Sequence, residues 1–370
     1  MGLFWSQMNL VNLYKVIAKI YIDFLSRNYY VKKVRVMLSK KFLKFFAISS
    51  FSLISFNQIH FNYSYASSFD ECNKLQDAQE FRDCMNKVNS NNISVQDKLS
   101  EAINALDSGD PAGALGKINL YLEENNNSAE GYLFRALINE WDFANLNDAL
   151  NDYSKAIALN DKYAEAYALR GSHLYWELSN KPAADKDLKK ALEISPDSSL
   201  INFLMAEYLF DFAITLYEKD KKEQALEIGN QAISYYEKVL LNDNSKPDYL
   251  VKRIFPFGID YNTHAEIGYI KFDGYFLLKE LKDRKKAKEY LNESIISYTK
   301  AIELAPSQEQ TDKLEIDMNY DFWDLGELYL SRGNSQSWIN NNWKKACSDF
   351  KTSKKLGHKD AQKTYRESKC

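Results

Sequence analysis

Residues 129–159, AEGYLFRALINEWDFANLNDALNDYSKAIAL, are answered 35 positions later by residues 164–194, AEAYALRGSHLYWELSNKPAADKDLKKALEI. Tyr132, Arg135, Ala136, Trp141, Ala149, Asp152, Ala156 and Leu159 recur as Tyr167, Arg170, Gly171, Trp176, Ala184, Asp187, Ala191 and Ile194. A fixed period of about 20 to 50 residues marks stacked supersecondary units, none of which buries its apolar face alone. Apolar residues recur at helical spacing within each copy, so each unit reads as two helices joined by a short polar turn. The predicted fold class is all-α, an α-solenoid of antiparallel helix pairs.

Working outward, six pairs can be marked. The first joins Ser94 to Leu106 with Pro111 to Glu123 through Ser108-Gly109-Asp110, and Pro111 suits a first helical position because its missing donor is not needed there. The second and third are the two copies. The fourth joins Leu200 to Tyr217 with Lys222 to Leu241, the fifth His264 to Leu278 with Lys285 to Leu304, and the last Asn319 to Leu330 with Trp343 to Leu356. Between the fourth and fifth, residues 246–262 hold Pro247, Pro256 and Gly258 beside Ile254, Phe255 and Phe257, the composition of an irregular connector. It either tucks its phenylalanines onto neighbouring helices or folds into the groove. The organisation is then repeats over 94–245, the connector, repeats over 263–361 and a tail over 362–370.

Close packing of two antiparallel helices needs Gly or Ala where they cross. Ala102 and Ala114, Ala136 and Ala149, Gly171 and Ala184, and Gly326 and Ala346 are placed to do this. With these residues the chain resembles the tetratricopeptide repeat family. Tyr167, Gly171, Ala184, Leu188, Ala191 and Pro196 match its signature in the third pair. Leu325, Gly326, Tyr329, Ala346 and Phe350 match it in the last, where Ser335 to Asn342 lengthens the turn. The ending Lys355 to Ala361 is similar to Sel1-like helix ends. The resemblance implies a right-handed superhelix whose first helices line a concave groove for a protein or peptide partner. Its groove positions fall on Glu130, Leu133, Leu137, Glu140 and Trp141, then on Glu165, Ala168, Ser172, Tyr175 and Trp176. Aromatics beside carboxylates suit an extended peptide with apolar and basic residues; the alternative for Trp141 and Trp176 is packing on the next repeat. Leu133, Leu137, Ala168 and Ser172 stand where some relatives use Lys and Asn to clamp a carboxyl terminus.

The net charge of -3 is unevenly spread. Residues 1–66 hold nine basic side chains and one acidic, +8, which leaves -11 for the remainder and disfavours nucleic acid as a partner of the folded part. Lys40, Lys41 and Lys44, the apolar run Phe45 to Phe56 and Ser64-Tyr65-Ala66 form a secretory signal pattern over 37–66 with cleavage after Ala66. Residues 1–36 read as an extension outside the native protein, or as a basic amphipathic segment on a membrane. The four cysteines, Cys72, Cys84, Cys347 and Cys370, all follow the cleavage point, as in an exported periplasmic or lumenal protein. Cys72 and Cys84, in a short helical segment over 67–93, form a disulfide if Asp77 starts a second helix between them; free thiols and the other pairings are the alternatives.

His60, His173, His264 and His358 stand apart, and no nucleophile elbow, phosphate loop or dinucleotide fingerprint occurs. The expectation is therefore no catalytic residue, no metal and no cofactor: an exported scaffold binding a protein or peptide, in assembly of an envelope or membrane complex. The rivals are a membrane-tethered adaptor that retains its amino-terminal segment and a solenoid enzyme or small-ligand binder.

Overall fold

The computed structural model describes residues 95–245, 248–310, 323–339, 342–368 and 370. The segments expected at 1–36, 37–66 and 67–93, with Cys72 and Cys84, lie outside the described residues, as does Asn319. Residues Ile93–Cys370 form one compact unit. Its helices are α1 (Val95–Asp107), α2 (Pro111–Glu124), α3 (Ala129–Leu137) with a wider π-type turn over Ile138–Asp142, α4 (Leu146–Leu159), α5 (Ala164–Trp176) and α6 (Lys181–Ile194). They continue as α7 (Ser199–Glu218), α8 (Lys222–Leu241), the short α9 (Tyr249–Ile254), α10 (Ile259–Glu280), α11 (Arg284–Leu304), α12 (Leu325–Ser337), α13 (Trp343–Lys355) and α14 (Ala361–Glu367). No strand occurs among the described residues, and the architecture is an all-α solenoid of helix pairs.

Local chemistry sets the boundaries. Side chains of Asp110, Ser128, Asn180, Ser198, Asp283 and Asp324 accept hydrogen bonds from backbone N–H groups three residues on, capping α2, α3, α6, α7, α11 and α12. Five hairpin turns pass through a residue of positive φ: Gly109, Ala144, Ser179, Asp220 and Lys282. The chain reverses there and the next helix starts two residues later.

At the crossings of the third, fifth and sixth pairs a small residue admits a large one. A Cβ on Gly171 would lie 3.0 Å from Leu188, one on Gly268 3.0 Å from the Tyr298 ring, and one on Gly333 2.7 Å from the Phe350 ring. These crossings correct the frame of the last unit. Gly326 does not cross Ala346, since a Cβ there would meet Asp324, His358 and Leu356. Gly333 is the true counterpart of Gly171, and it precedes Ala346 by the same interval as Gly171 precedes Ala184, so the turn is not lengthened. Seven residues are close to two helical turns, and a frame displaced by seven keeps the apolar face in place.

The connector also departs from expectation. Residues 249–254 are helical, capped by Asp248, and Gly258 at φ 95° starts α10, which begins at Ile259 rather than His264. Helix α7 is long and apolar enough to cross a membrane by composition. Here it is a core helix, packed against α5, α8 and α10. At the far end Cys347 and Cys370 form a disulfide with Cα atoms 5.4 Å apart, fixing the chain end to α13.

Candidate partner-binding groove

Three arginines fix the first helices to their surroundings. Arg135 donates from Nε and Nη2 to Asp152 of α4, both at 2.8 Å, and from Nη1 to Asn119 of α2. Arg170 repeats this with Asp187 of α6 and Ser154 of α4, and Arg332 with Asp349 of α13 and Thr299 of α11. Each guanidinium also lies over the ring three residues before it, Tyr132, Tyr167 or Tyr329. One side chain thus joins its own second helix to that of the preceding unit, through the paired geometry that makes arginine–carboxylate contacts strong. In Arg332 burial works against the charge, yet the Asp349 hydrogen bond and charge leave its pKa raised. The sequence pattern showed the first two arginines and aspartates as recurring letters; the third pair was hidden by the frame of the last unit.

Among the described residues the first helices α5, α7, α10 and α12 touch their successors along the stack, as the inner helices of a solenoid do. Of the residues projected onto this face, Glu130 is exposed, and Glu165, Ser172 and Trp141 are partly exposed. Trp176 is 37% exposed, its ring edge-on to Tyr175. Leu133, Leu137, Ala168 and Tyr175 are buried, and burial leaves them little surface to offer a partner. Tyr175 instead donates its hydroxyl to Asp211 of α7. Glu140 is likewise engaged, accepting from Tyr153 Oη at 2.6 Å and pairing with His173 Nδ1 at 2.8 Å in the joint between the second and third units. Burial alone would lower the His173 pKa, but the Glu140 hydrogen bond and charge outweigh it and hold the imidazole above its ordinary value.

With the frame corrected, Trp338 follows Gly333 by five residues, as Trp176 follows Gly171 and Trp141 follows Ala136. It was absent from the sequence expectation. Its ring is 49% exposed, meets Phe276 edge-on at 5.2 Å, and carries Lys279 Nζ 5.0 Å above it.

Charge divides between the two helix sets. The six first helices, with the π-type turn of α3, hold 15 carboxylates against 6 cations. The second helices hold 14 carboxylates against 18 cations. Three of the six inner cations are the clamp arginines, already committed to aspartates. The inner helices are thus acidic, and α7 carries three carboxylates and no cation.

Helix α9 and its flanks reach back to the first units. Tyr249 packs at 5.0 Å from the Phe134 ring beside the core that α1 and α2 share with α3, and its hydroxyl lies 3.4 Å from Asp107. Arg253 Nη2 contacts both oxygens of Asp142 at 3.2 Å, and the Phe255 ring meets Phe203 of α7 edge-on at 4.6 Å. Val251, Ile254 and Phe255 are buried. The connector therefore lies across the first helices of the first, second and fourth units. Among the described residues no group of three or more His, Cys, Asp and Glu side chains gathers as a metal site.

No curated protein matches the chain. Solved structures similar to it include MamA, at 21% identity and TM-score 0.35, covering 54% of this chain and 95% of that one. A tetratricopeptide repeat protein from Parabacteroides merdae is 17% identical, with TM-score 0.42 over 82% of this chain and 97% of the other. PilW, titled a widely conserved type IV pilus biogenesis factor, is 14% identical, with TM-score 0.46 over 73% of this chain and 97% of its own. The tetratricopeptide repeat model matches residues 164–198, so the third unit, α5 with α6 and the turn after them, is similar to a repeat of that family.

Proposed function

We propose that this chain is an interaction scaffold that receives a basic, apolar segment of a protein partner on the acidic face of its first helices. The observation that carries this reading is the division of charge between the two helix sets: first helices with an excess of carboxylates attract cations and repel nucleic acid. Glu130, Glu165, Ser172, Trp141 and Trp176 from the expected set, joined by Trp338, supply the rim and the aromatic contacts. Leu133, Leu137, Glu140 and Tyr175 hold that surface in shape from behind. The chain has no catalytic role in this reading.

The proposal includes export, with the signal pattern at 37–66 removed and the mature protein working in an envelope or membrane assembly. The Cys347–Cys370 disulfide supports it, because such bonds persist in oxidising compartments. A mature chain beginning at Ser67, read by sequencing the native amino terminus, is the expected outcome; a chain retaining residues 1–56 makes the protein a tethered adaptor instead. The groove is tested by cross-linking and affinity capture from native cells with wild type and with Trp141→Ala plus Trp176→Ala. Loss of the captured partner from a variant of unchanged helicity supports the proposal. Equal recovery by both baits removes it for the second and third units.

A further inference from the structure

We infer that the inner face of the first four units is a receptor for a short helix carrying an aromatic residue and an arginine four positions apart, and that residues 248–257 occupy it in cis until a partner segment of the same chemistry replaces them. This rests on the scaffold reading and adds the identity of the ligand and its regulation.

The occupant itself shows what the surface accepts. Tyr249 fills a place against Phe134, Arg253 enters beside Asp142, and the Phe255 ring meets Phe203 edge-on. Tyr249 and Arg253 lie one turn apart on the same face of a helix. The receptor side is built by elements far away in the chain, with 111 residues between Arg253 and Asp142 and 142 between Tyr249 and Asp107.

The fit of the cis segment is imperfect where it matters. Each clamp arginine presents Nε and Nη2 to two separate carboxylate oxygens at 2.7 to 3.0 Å. Arg253 instead reaches both oxygens of Asp142 through one nitrogen at 3.2 Å, and its Nε is buried without a hydrogen-bond partner. A buried donor left unmade weakens a contact. Burial holds the Asp142 carboxyl above its ordinary pKa even though Arg253 pulls it down, so the paired charge is only partly compensated. The segment is also loosely coupled to its neighbours in sequence. Its helix has six residues, too few to persist alone, and Pro256 and Gly258 at φ 95° separate it from α10. A partner whose arginine can approach Asp142 with both edges of its guanidinium has a better contact available than the cis segment makes.

The test uses a fluorescein-labelled peptide of residues 246–258, KPDYLVKRIFPFG, and the full-length chain, read by fluorescence anisotropy. The variant Tyr249→Ala plus Arg253→Ala, with its own segment weakened, is expected to bind the peptide at least tenfold more tightly than wild type. Adding Asp142→Arg to that variant is expected to abolish binding. Equal binding by wild type and the weakened variant, or binding indifferent to Asp142→Arg, overturns the proposal. If the weakened variant fails to fold, hydrogen exchange on wild type decides. The amides of Lys252 and Phe255, bonded within the cis helix, are expected to exchange faster in excess peptide, and unchanged protection overturns the idea. Partner capture that depends on Trp141 and Trp176 alongside a negative result here leaves the scaffold standing and removes only the cis occupant.

Discussion

The second, third and sixth units differ from the fourth and fifth by 13 residues of helix. In the shorter units the small crossing residue precedes its large partner by 17 positions: Ala136 and Tyr153, Gly171 and Leu188, Gly333 and Phe350. In the longer units the interval is 30: Ala206 and Tyr236, Gly268 and Tyr298. The positive-φ turn comes 8 residues after the small residue in the second and third units and 14 after it in the longer ones, so both helices are extended, by six and seven residues. That is nearly two turns, or about 10 Å of added hairpin. The extensions pack on each other: Leu216 and Ala225 cluster with Leu277, Lys222 meets Glu280 at 3.4 Å, and Tyr217 donates to Glu280. The longer units therefore join through added surface, whereas the shorter ones use the arginine clamp. In the longer units the places of the clamp arginine and aspartate hold Met205 with Tyr235 and Ile267 with Ser297. One stack thus solves one joint in two ways.

The largest effect expected from this contrast lies in the longer units. Tyr298 is fully buried over Gly268, and Tyr298→Ala removes a whole ring from a tight crossing, costing about 4 kcal/mol. Urea titration with hydrogen exchange should show α10 and α11 losing protection first. A cost below that of Leu188→Ala, its counterpart in the third unit, would break the view that the extended hairpins depend more on their crossing. Next is the clamp. The Asp187 carboxylate is buried, and Asp187→Ala, which strands Arg170, is expected to cost about 3 kcal/mol. Transplanting the solution of the fifth unit, Arg170→Ile with Asp187→Ser, should recover most of that loss, leaving about 1 kcal/mol. A double variant as damaged as the single one would mean that the clamp is not interchangeable with apolar contact.

The same contrast explains what could be read from the sequence. The second and third units were legible because their clamp residues recur letter for letter, Arg135 with Asp152 and Arg170 with Asp187, and their crossing residues keep the same spacing. The longer units keep the geometry with different letters, Ala206 for Gly268 and Phe203 for Ala265, so their shared interval of 62 residues, visible in Asp211 and Asp273 or Ala225 and Ala287, did not stand out. Groove positions were less legible than packing positions. Leu137 and Tyr175 stand at places that face a groove in an isolated repeat, but neighbouring elements bury them here. The connector lay further out of reach, because Arg253 meets Asp142 only after the units have stacked.

A smaller effect tests whether the polar joint is confined to the shorter units. His173 is buried against Glu140 with its pKa held above the ordinary value of 6.5, so folding takes up a proton that the unfolded chain releases first. Its stabilisation is complete below about pH 6.5 and is lost as pH rises through the folded value. Denaturation midpoints should fall across that interval in wild type and stay flatter in Glu140→Gln. Ile138, Tyr208, Ile270 and Ser335 hold the equivalent places in other units, and none of them titrates there. An unchanged slope in Glu140→Gln would move the pH dependence to another joint.

The smallest expected effects are at the turns, where the two kinds of unit share one solution. Ala144 and Ser179 in the shorter units and Asp220 and Lys282 in the longer ones hold positive φ values of 53 to 65°, a region that costs most side chains about 1 kcal/mol and that glycine enters freely. Part of that relief is offset by the greater freedom of glycine in the unfolded chain, so Ala144→Gly and Lys282→Gly should each gain about 0.5 kcal/mol. Asp220→Gly should gain least, since aspartate tolerates this conformation. Gly109→Ala reverses the experiment: an added Cβ meets nothing within 4 Å, so its expected cost of about 1 kcal/mol is backbone strain alone. Equal gains from Ala144→Gly and Lys282→Gly would show that the turn strain is the same whether the hairpin beneath it is short or long. A gain at only one of them would place the strain in the extension rather than in the turn.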